Sequence, residues 1–427
     1  MKRYTLIPLL LLLFMGILAQ EEGKEEQKFG VKISGFVKND FFWDSRQTVA
    51  AREGHFLLWP KKVDLDANEN DLNGQSSFNF LSIQSRLSFA ISGPDALGAK
   101  TSAFIEGDFF AQANDNINLL RLRHAFVKLN WDHLELLAGQ YWNPLFVTGS
   151  FPGTVSFNTG TPLQSFARNP QLRATYKVGG LSLIGAVLGQ RDYTNVGESG
   201  GTSSYLRNTS IPDMHFQLHF GTNNEGGMNI LAGAGMAYKT IAPRIINDRG
   251  TGGGKIAVNE KVGGMTLMAF TKLSTKAFTV KLQGRYGENI SDLLSISGFA
   301  ITDSTTATGE RSYSPLKNFT FWGEIHTNGN PQVGIFGGYT QNLGSKEALL
   351  MNPTSMAPEG VFGRGTTIQS LFRVSPRVIY NAGKVRLALE LEYTSAAYGS
   401  GWDEFYLPDA TSAADNLRVL AAIYYFF

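Results

Sequence analysis

Arginine and lysine recur along this chain at positions that alternate with apolar neighbours: Arg86, Arg121, Arg123, Arg173, Lys177, Lys281, Arg285, Arg373, Arg377, Arg386 and Arg418. Cations spaced this way attract and hold anions rather than break bonds. A guanidinium grips a carboxylate through two parallel hydrogen bonds. A row of them in a narrow, low-dielectric passage concentrates anions. Acids of the same parity are fewer: Glu106, Asp108, Glu324, Glu390 and Glu392. The competing use of these arginines is to pair with those acids and brace a wall.

Other chemistry is weaker. His215 and His219 would converge on a metal only from a helix. On a strand, at roughly 3.3 Å per residue, they stand about 13 Å apart. The run Asp64-Leu-Asp-Ala-Asn-Glu-Asn-Asp71 offers alternate oxygens but lacks the glycine and closing glutamate of a calcium loop, so a solvated external loop is expected. Gly250-Thr-Gly-Gly-Gly-Lys255 lacks the Ser/Thr that follows the lysine of a phosphate loop. No serine stands in a nucleophile context among six scattered histidines. The expectation is a protein with no catalytic residues, no metal and no cofactor.

The elements that would position the cations are strands. In Val385–Thr394, Val385, Leu387, Leu389, Leu391 and Tyr393 alternate with Arg386, Ala388, Glu390, Glu392 and Thr394. Phe372, Val374, Pro376, Val378 and Tyr380 alternate with Arg373, Ser375 and Arg377. The chain stops on Leu417-Arg-Val-Leu-Ala-Ala-Ile-Tyr-Tyr-Phe-Phe427, an apolar strand face that would aggregate at a soluble edge but closes a sheet in lipid. The same test predicts sixteen strands: 32–44, 78–92, 98–110, 118–131, 133–141, 170–178, 180–190, 211–221, 227–240, 257–274, 276–288, 317–328, 331–342, 367–381, 384–398 and 415–427. Short joints alternate with long segments at 45–77, 142–169, 191–210, 241–256, 289–316, 343–366 and 399–414, the rhythm of an even-stranded barrel with short periplasmic turns and long external loops.

Two places strain the pattern. Met268 and Phe270 fall on opposite parity to Leu267 and Ala269. His124 and Lys128 would face out with Leu122 and Phe126, unless the parity slips and puts His124 in the lumen.

Composition bounds the class. Lys2 and Arg3 precede an apolar run from Leu6 to Ala19, so residues 1–19 read as an export signal. Residues 20–31, with the acidic Glu21–Lys28, read as a short periplasmic tail, and 32–427 as the barrel. Without Lys2 and Arg3 the 38 bases become 36, against 36 acids, a balance that excludes a nucleic-acid binder. With no cysteine there are no disulfides. Glycine, at 47 of 427 residues, and aromatics, at 12%, suit a barrel apolar outside and wet inside.

Several segments resemble the DcaP-like porins of Gram-negative bacteria: Leu120-Arg-Leu-Arg-His-Ala-Phe-Val127, Leu137-Ala-Gly-Gln-Tyr-Trp-Asn-Pro-Leu145, Arg168-Asn-Pro-Gln-Leu-Arg173 and Ile211-Pro-Asp213. The resemblance covers 118–221 well and the rest through architecture. It implies a homotrimeric outer-membrane channel, in contact with lipid, for small anions such as dicarboxylates. Glu21–Lys28 is too short for the helical N-terminal extension some members carry. Arg121 and Arg123, inside the first motif, are the foremost candidates for solute contact, followed by Arg173 and Arg86. In general porins the third external loop folds into the lumen. Here that loop, 142–169, carries Trp142, Phe146, Phe151, Phe157 and Phe166 with Arg168 as its only charge, which suits a constriction better than bulk water. The reading is an all-β, sixteen-stranded transmembrane antiparallel barrel acting as a passive porin. The alternative is a plugged barrel that serves as a scaffold or adhesin through its loops.

Overall fold

The computed structural model describes residues 29–249, 253–305 and 308–427. The export signal at 1–19, the tail up to Lys28 and the glycine-run residues 250–252 lie outside the described residues. The wall comprises β1 (Gly30–Asp44), β2 (Ser77–Leu81 continued by Arg86–Ser92), β3 (Lys100–Asp108) and β4 (Arg121–Asn130). It continues with β5 (Leu134–Trp142), β6 (Arg168–Val178), β7 (Leu181–Leu188) and β8 (Asp213–Gly221). Next come β9 (Asn229–Ile241), β10 (Val262–Ser274), β11 (Phe278–Glu288) and β12 (Arg311–Thr327). The last four are β13 (Gln332–Ser345), β14 (Ile368–Ala382), β15 (Val385–Trp402) and β16 (Pro408–Phe426). By hydrogen bonding the sheet has 19 segments. Two of these are the halves of β2, and two more, Ser297–Ser304 and Val361–Arg364, extend the rim above β12, which leaves sixteen wall strands.

Neighbours pair antiparallel all the way round, and β16 returns to β1 with Phe36 opposite Phe426 and Asp44 opposite Arg418. The final residue completes the seam, since Phe427 N donates to Gly35 O at 3.2 Å and Gly35 N donates to Phe427 O at 3.3 Å. A closed sheet leaves no strand edge for lipid to solvate, which is why the apolar C-terminal strand is tolerated. The alternation holds: on β15, Leu387 is 50% exposed on the outside while Glu390 and Glu392 are fully buried on the inside. Two joints are two-residue turns, Gly179-Gly180 and Gly383-Lys384, and the φ of +59° at Gly383 is one that only glycine enters without strain.

The interior departs from a simple wet tube. The connections on the long-loop side are named L1 to L8 in chain order. L1 (45–76) is not merely external. Its hairpin, Thr48–Ala51 paired with Phe56–Pro60, folds into the lumen against β15 and β16. Phe56, Leu57, Leu58 and Trp59 are buried there. L6 (289–310) sends Leu294 and Ile296 into the same apolar cluster, joined by Phe146, Phe157, Leu163 and Phe166 of L3 (143–167). Inward Trp322, Phe336 and Leu371 complete it from the wall.

That packing explains the awkward parity of β10. Met268 and Phe270 point inward because Leu145, Val147 and Ala167 cover them. The expected outward His124 is corrected too. Glu106 pairs with His124 and Gly107 with Leu122, so Arg123 is an extra residue in β4. Such a bulge resets the alternation, and Arg123 and His124 both lie buried on the lumen side. Lys128 follows, pairing with Glu135 at 3.1 Å.

The seam offers a direct test. Arg418 grips Asp44 at 2.9 and 2.6 Å across β16 and β1, both side chains buried. Removing one partner of a buried pair costs about 3–5 kcal/mol. Arg418→Leu should therefore lower the temperature at which the barrel loses its heat-modifiable gel mobility, while Asp44→Leu combined with Arg418→Leu should recover most of the loss.

Candidate functional site

L3 leaves β5 at Trp142, crosses the lumen and re-enters the wall at Arg168. Crossing strands of irregular backbone cannot pair with a neighbour, so their polar groups need side-chain partners. Charged residues of the far wall supply them. Val155 N and Ser156 N donate to the Glu390 carboxylate at 2.5 and 3.3 Å. Gly153 N donates to Glu324, and Asn158 Nδ2 donates to Glu392 at 2.9 Å. Cations take the carbonyls: Lys38 Nζ donates to Val155 O at 3.0 Å, Lys281 Nζ to Phe151 O at 2.9 Å and Lys272 Nζ to Gly149 O at 3.1 Å. Arg373 bridges the two infolded loops, donating to Thr161 O at 2.5 Å and Leu58 O at 2.7 Å.

The motif arginines are neutralised where they stand. Arg121 Nε lies 2.7 Å from Asp108 Oδ1. Arg123 lies 2.7 Å from Glu106 and 2.9 Å from Asp108. Arg168 pairs with Asp192 at 2.6 Å and stacks over Trp142 with its guanidinium 5.2 Å from the ring centre. Arg377 and Lys281 each sit 3.0 Å from the same Glu324 oxygen. Arg285 lies beneath L3, bonded to Ser165 and to Ser295. Arg173 donates to Trp142 O at 2.6 Å and borders Tyr141. Lys177 is exposed at the periplasmic rim, 3.9 Å from Glu135, away from the rest. Arg86 keeps only a 3.6 Å approach to Glu106. Arg386 meets no carboxylate among the described residues and lies over Phe426, 5.1 Å from the ring centre.

The aromatic residues of L3 form a stack across the passage. Trp142 stacks on Phe146 at 3.9 Å, and Phe157 stacks on Phe110 of L2 (109–120) at 4.1 Å. Phe56 of L1 packs on both Phe157 and Phe166 at 5.2 Å. These rings and the loops that carry them divide the lumen. On the periplasmic side lie two cavities of about 530 and 570 Å³ that share Gly153 and Arg386. The first is bordered by Arg86, Arg123, His124 and Glu106, with Phe151 at the tip of L3 facing it. The second is bordered by Lys281, His326 and Arg377. Cations outnumber acids in both linings.

Sequence reasoning found the inward acids but not their use as acceptors for loop N–H groups. It missed the L1 hairpin, whose uncharged run Phe56-Leu-Leu-Trp-Pro60 was the available signal, and Asp192, for which no local pattern exists. His55, just before that run, donates from Nε2 to Asp40 Oδ2 at 2.8 Å, and burial pushes its pKa down despite that carboxylate. The Asp64–Asp71 acids serve the backbone. Asp66 Oδ1 accepts from Asn68 N and Asn70 N, bonds that hold its carboxyl below the usual range. His219 Nε2 bonds Gln217 Oε1 on its own strand at 2.9 Å, and His215 Nε2 lies 3.1 Å from Asp213 on the same strand without a hydrogen bond.

No family profile matches the chain, and no curated protein sequence matches it. Solved structures do match. The outer membrane channel DcaP of Acinetobacter baumannii superposes with a TM-score of 0.65 at 16% identity, over 95% of this chain and 99% of that one. This chain has the DcaP porin fold. The anion-selective porin from Comamonas acidovorans gives 0.52 at 11% identity, over 94% of this chain and all of that one. The OmpT outer-membrane protein of Vibrio cholerae gives 0.52 at 10% identity, over 94% and 100%. The DcaP fold thus covers the barrel well beyond the segments between 118 and 221 that carry the sequence resemblance.

The carboxylates that hold L3 should be separable from its packing. A buried N–H left without its acceptor costs about 1–3 kcal/mol. Val155 N and Ser156 N donate to different oxygens of Glu390, and Glu390→Gln replaces one of those oxygens with an NH2 donor, so one of the two N–H groups loses its acceptor. Chymotrypsin should then cut L3 at Phe151 or Phe157 roughly tenfold faster or more than in the parent barrel, read by the rate of fragment appearance on gels.

Proposed function

We propose that the protein is an outer-membrane porin through which small hydrophilic solutes diffuse passively, with a preference for anions such as dicarboxylates. The observation that carries this reading is the pair of cation-lined cavities beneath an infolded third loop in a closed sixteen-strand wall. A passage lined by more cations than acids between low-dielectric walls favours anions. A fold shared with an anion-selective porin supports the same direction. Residues 1–19 serve as the export signal, the short tail and the barrel follow, and three copies associate in the outer membrane. The fold is shared with channels, which supports reading the protein as a porin and not an enzyme.

The arginines that set selectivity are those whose charge is not cancelled. Arg86 and Arg386 face the cavity with little or no carboxylate contact, and Arg173 has none within salt-bridge distance. Arg121, Arg123 and Arg377 are tied to Asp108, Glu106 and Glu324 and act mainly to brace the wall.

A second reading is favoured by one observation: Phe56, Phe110, Phe157, Phe166 and Trp322 are all at most 4% exposed, so the mid-lumen is filled. On that reading the barrel is a plugged scaffold or adhesin acting through its loops. Planar-bilayer recording separates the two, because steady open steps support the porin and a silent barrel supports the scaffold. In an open barrel, Arg86→Gln with Arg386→Gln should shift the reversal potential in a KCl gradient towards the unselective value. Arg121→Gln with Arg123→Gln should shift it less and lower thermal stability more. The opposite ranking would overturn the assignment of selectivity to the unpaired cations.

A further inference from the structure

Above the aromatic stack, on the long-loop side, lies a separate cleft of about 330 Å³ that the permeation reading does not use. We infer that this cleft, between L4 (189–212) and L7 (346–367), is a capture site for a soluble carboxylate- or phosphate-bearing anion. The inference rests on the porin reading for its purpose and not for its chemistry. Its volume falls at the lower end of the roughly 300–1,000 Å³ typical of small-molecule sites. Arg191, Tyr193, Thr202, Ser203 and Arg364 line it together with Asp192.

The charge balance in the cleft is positive. Asp192 is already engaged by Arg168 at 2.6 Å and approached by Arg121 at 3.9 Å, so it does not neutralise the cleft's own arginines. Arg191 is exposed, and among the described residues its guanidinium makes no hydrogen bond or ion pair. Arg364 spends one donor, Nε, on Ser291 O at 3.3 Å, which leaves its two terminal nitrogens for a ligand. The Tyr193 hydroxyl has no hydrogen-bond partner among the described residues, and the Ser203 hydroxyl adds a further donor to the rim, whereas Thr202 Oγ1 already donates to Ser204 Oγ at 3.1 Å. Two guanidinium groups flanked by hydroxyls are suited to a doubly charged oxyanion, which accepts bidentate bonds from each.

Both walls of the cleft are fixed before any ligand arrives. Arg364 belongs to a strand paired with Ser297 of L6. L4 is tied to L6 through Asn195 Nδ2, which donates to Asn289 O at 3.1 Å. A site whose sides are held on a common support loses little ordering entropy on binding. The floor identifies the source of the anion. Tyr193 packs on Phe56 and Phe166 with ring centres 6.1 Å away, and Asp192 touches Arg168 inside the barrel. The cleft therefore opens over the lumen and not onto the lipid-facing wall, which favours a dissolved solute over a lipid headgroup. An anion seated there rests directly on the outer surface of the stack formed by L1 and L3.

The test uses the whole barrel in detergent and in bilayers, with inorganic phosphate and succinate as probes. Calorimetry should give binding of both, weakened about tenfold or more in Arg191→Gln with Arg364→Gln. Heat-modifiable gel mobility should be unchanged, because Arg364 gives up one hydrogen bond, to Ser291 O, and Arg191 gives up none among the described residues. In bilayers, succinate added on the loop side should produce brief interruptions of current whose on-rate falls about tenfold in the double variant, as expected when steering charges are removed. Addition from the periplasmic side should be unaffected. Equal affinities for the parent and the variant, or interruption rates that fall equally from both sides, would overturn the site. A barrel that is silent in bilayers yet loses phosphate binding in the variant keeps the site and sinks the porin reading instead.

Discussion

Buried backbone that is not in a ladder must find its hydrogen bonds elsewhere, and most of this interior follows from that requirement. The wall meets it by closing on itself through the β1–β16 seam. L3 and the L1 hairpin leave the wall and enter the lumen, where no neighbouring strand can pair with much of their length. Glu324, Glu390 and Glu392 then receive N–H groups, while Lys38, Lys272, Lys281 and Arg373 supply donors to carbonyls. The inward charges of β12, β14 and β15 are in this sense the missing partner strand of the loops. An interior with this many ionised groups is sustained because nearly all of them face an opposite charge or a peptide dipole.

A second consequence concerns how charge is distributed along the barrel. Where the loops fill the lumen, cations and acids cancel locally: Arg121 and Arg123 against Asp108 and Glu106, Arg373 against Glu392, Arg418 against Asp44. Where space remains, on the periplasmic side around Arg386 and at the outer cleft around Arg191, cations stand with fewer partners. The net positive potential inside the barrel is set by this second group. Formal counts of inward arginines overstate it, since a pair in contact presents a dipole whose field falls off faster than that of a charge.

The apolar content of the lumen follows the same division. Met268, Phe270, Trp322, Phe336 and Leu371 occupy wall positions where a wet channel would carry polar residues, and each lies under an infolded loop. Their burial supplies the hydrophobic term that holds irregular backbone inside the barrel. The hydrogen bonds named above fix where along the wall each segment sits. L1, L3 and L6 meet in one cluster, so displacement of any one of them exposes apolar surface on the other two.

The number of strands, their order and their lipid-facing sides were legible in the sequence. Period-2 alternation is a local property that lipid imposes on every wall strand separately, and residues such as Leu387, Leu389 and Val419 report it without reference to anything distant. The identity of the third loop was legible for a related reason, because a long connection with one charge has to be sheltered. What the chain alone left open was decided by contacts between segments far apart. The bulge at Arg123 turned His124 inward through its register with Glu106, a relation between two strands that neither strand encodes by itself. Likewise, whether an inward arginine is a solute ligand or a brace depends on which carboxylate the closed barrel brings opposite it. Parity gives a side chain its direction, and only the assembled sheet and its folded-in loops give it a partner.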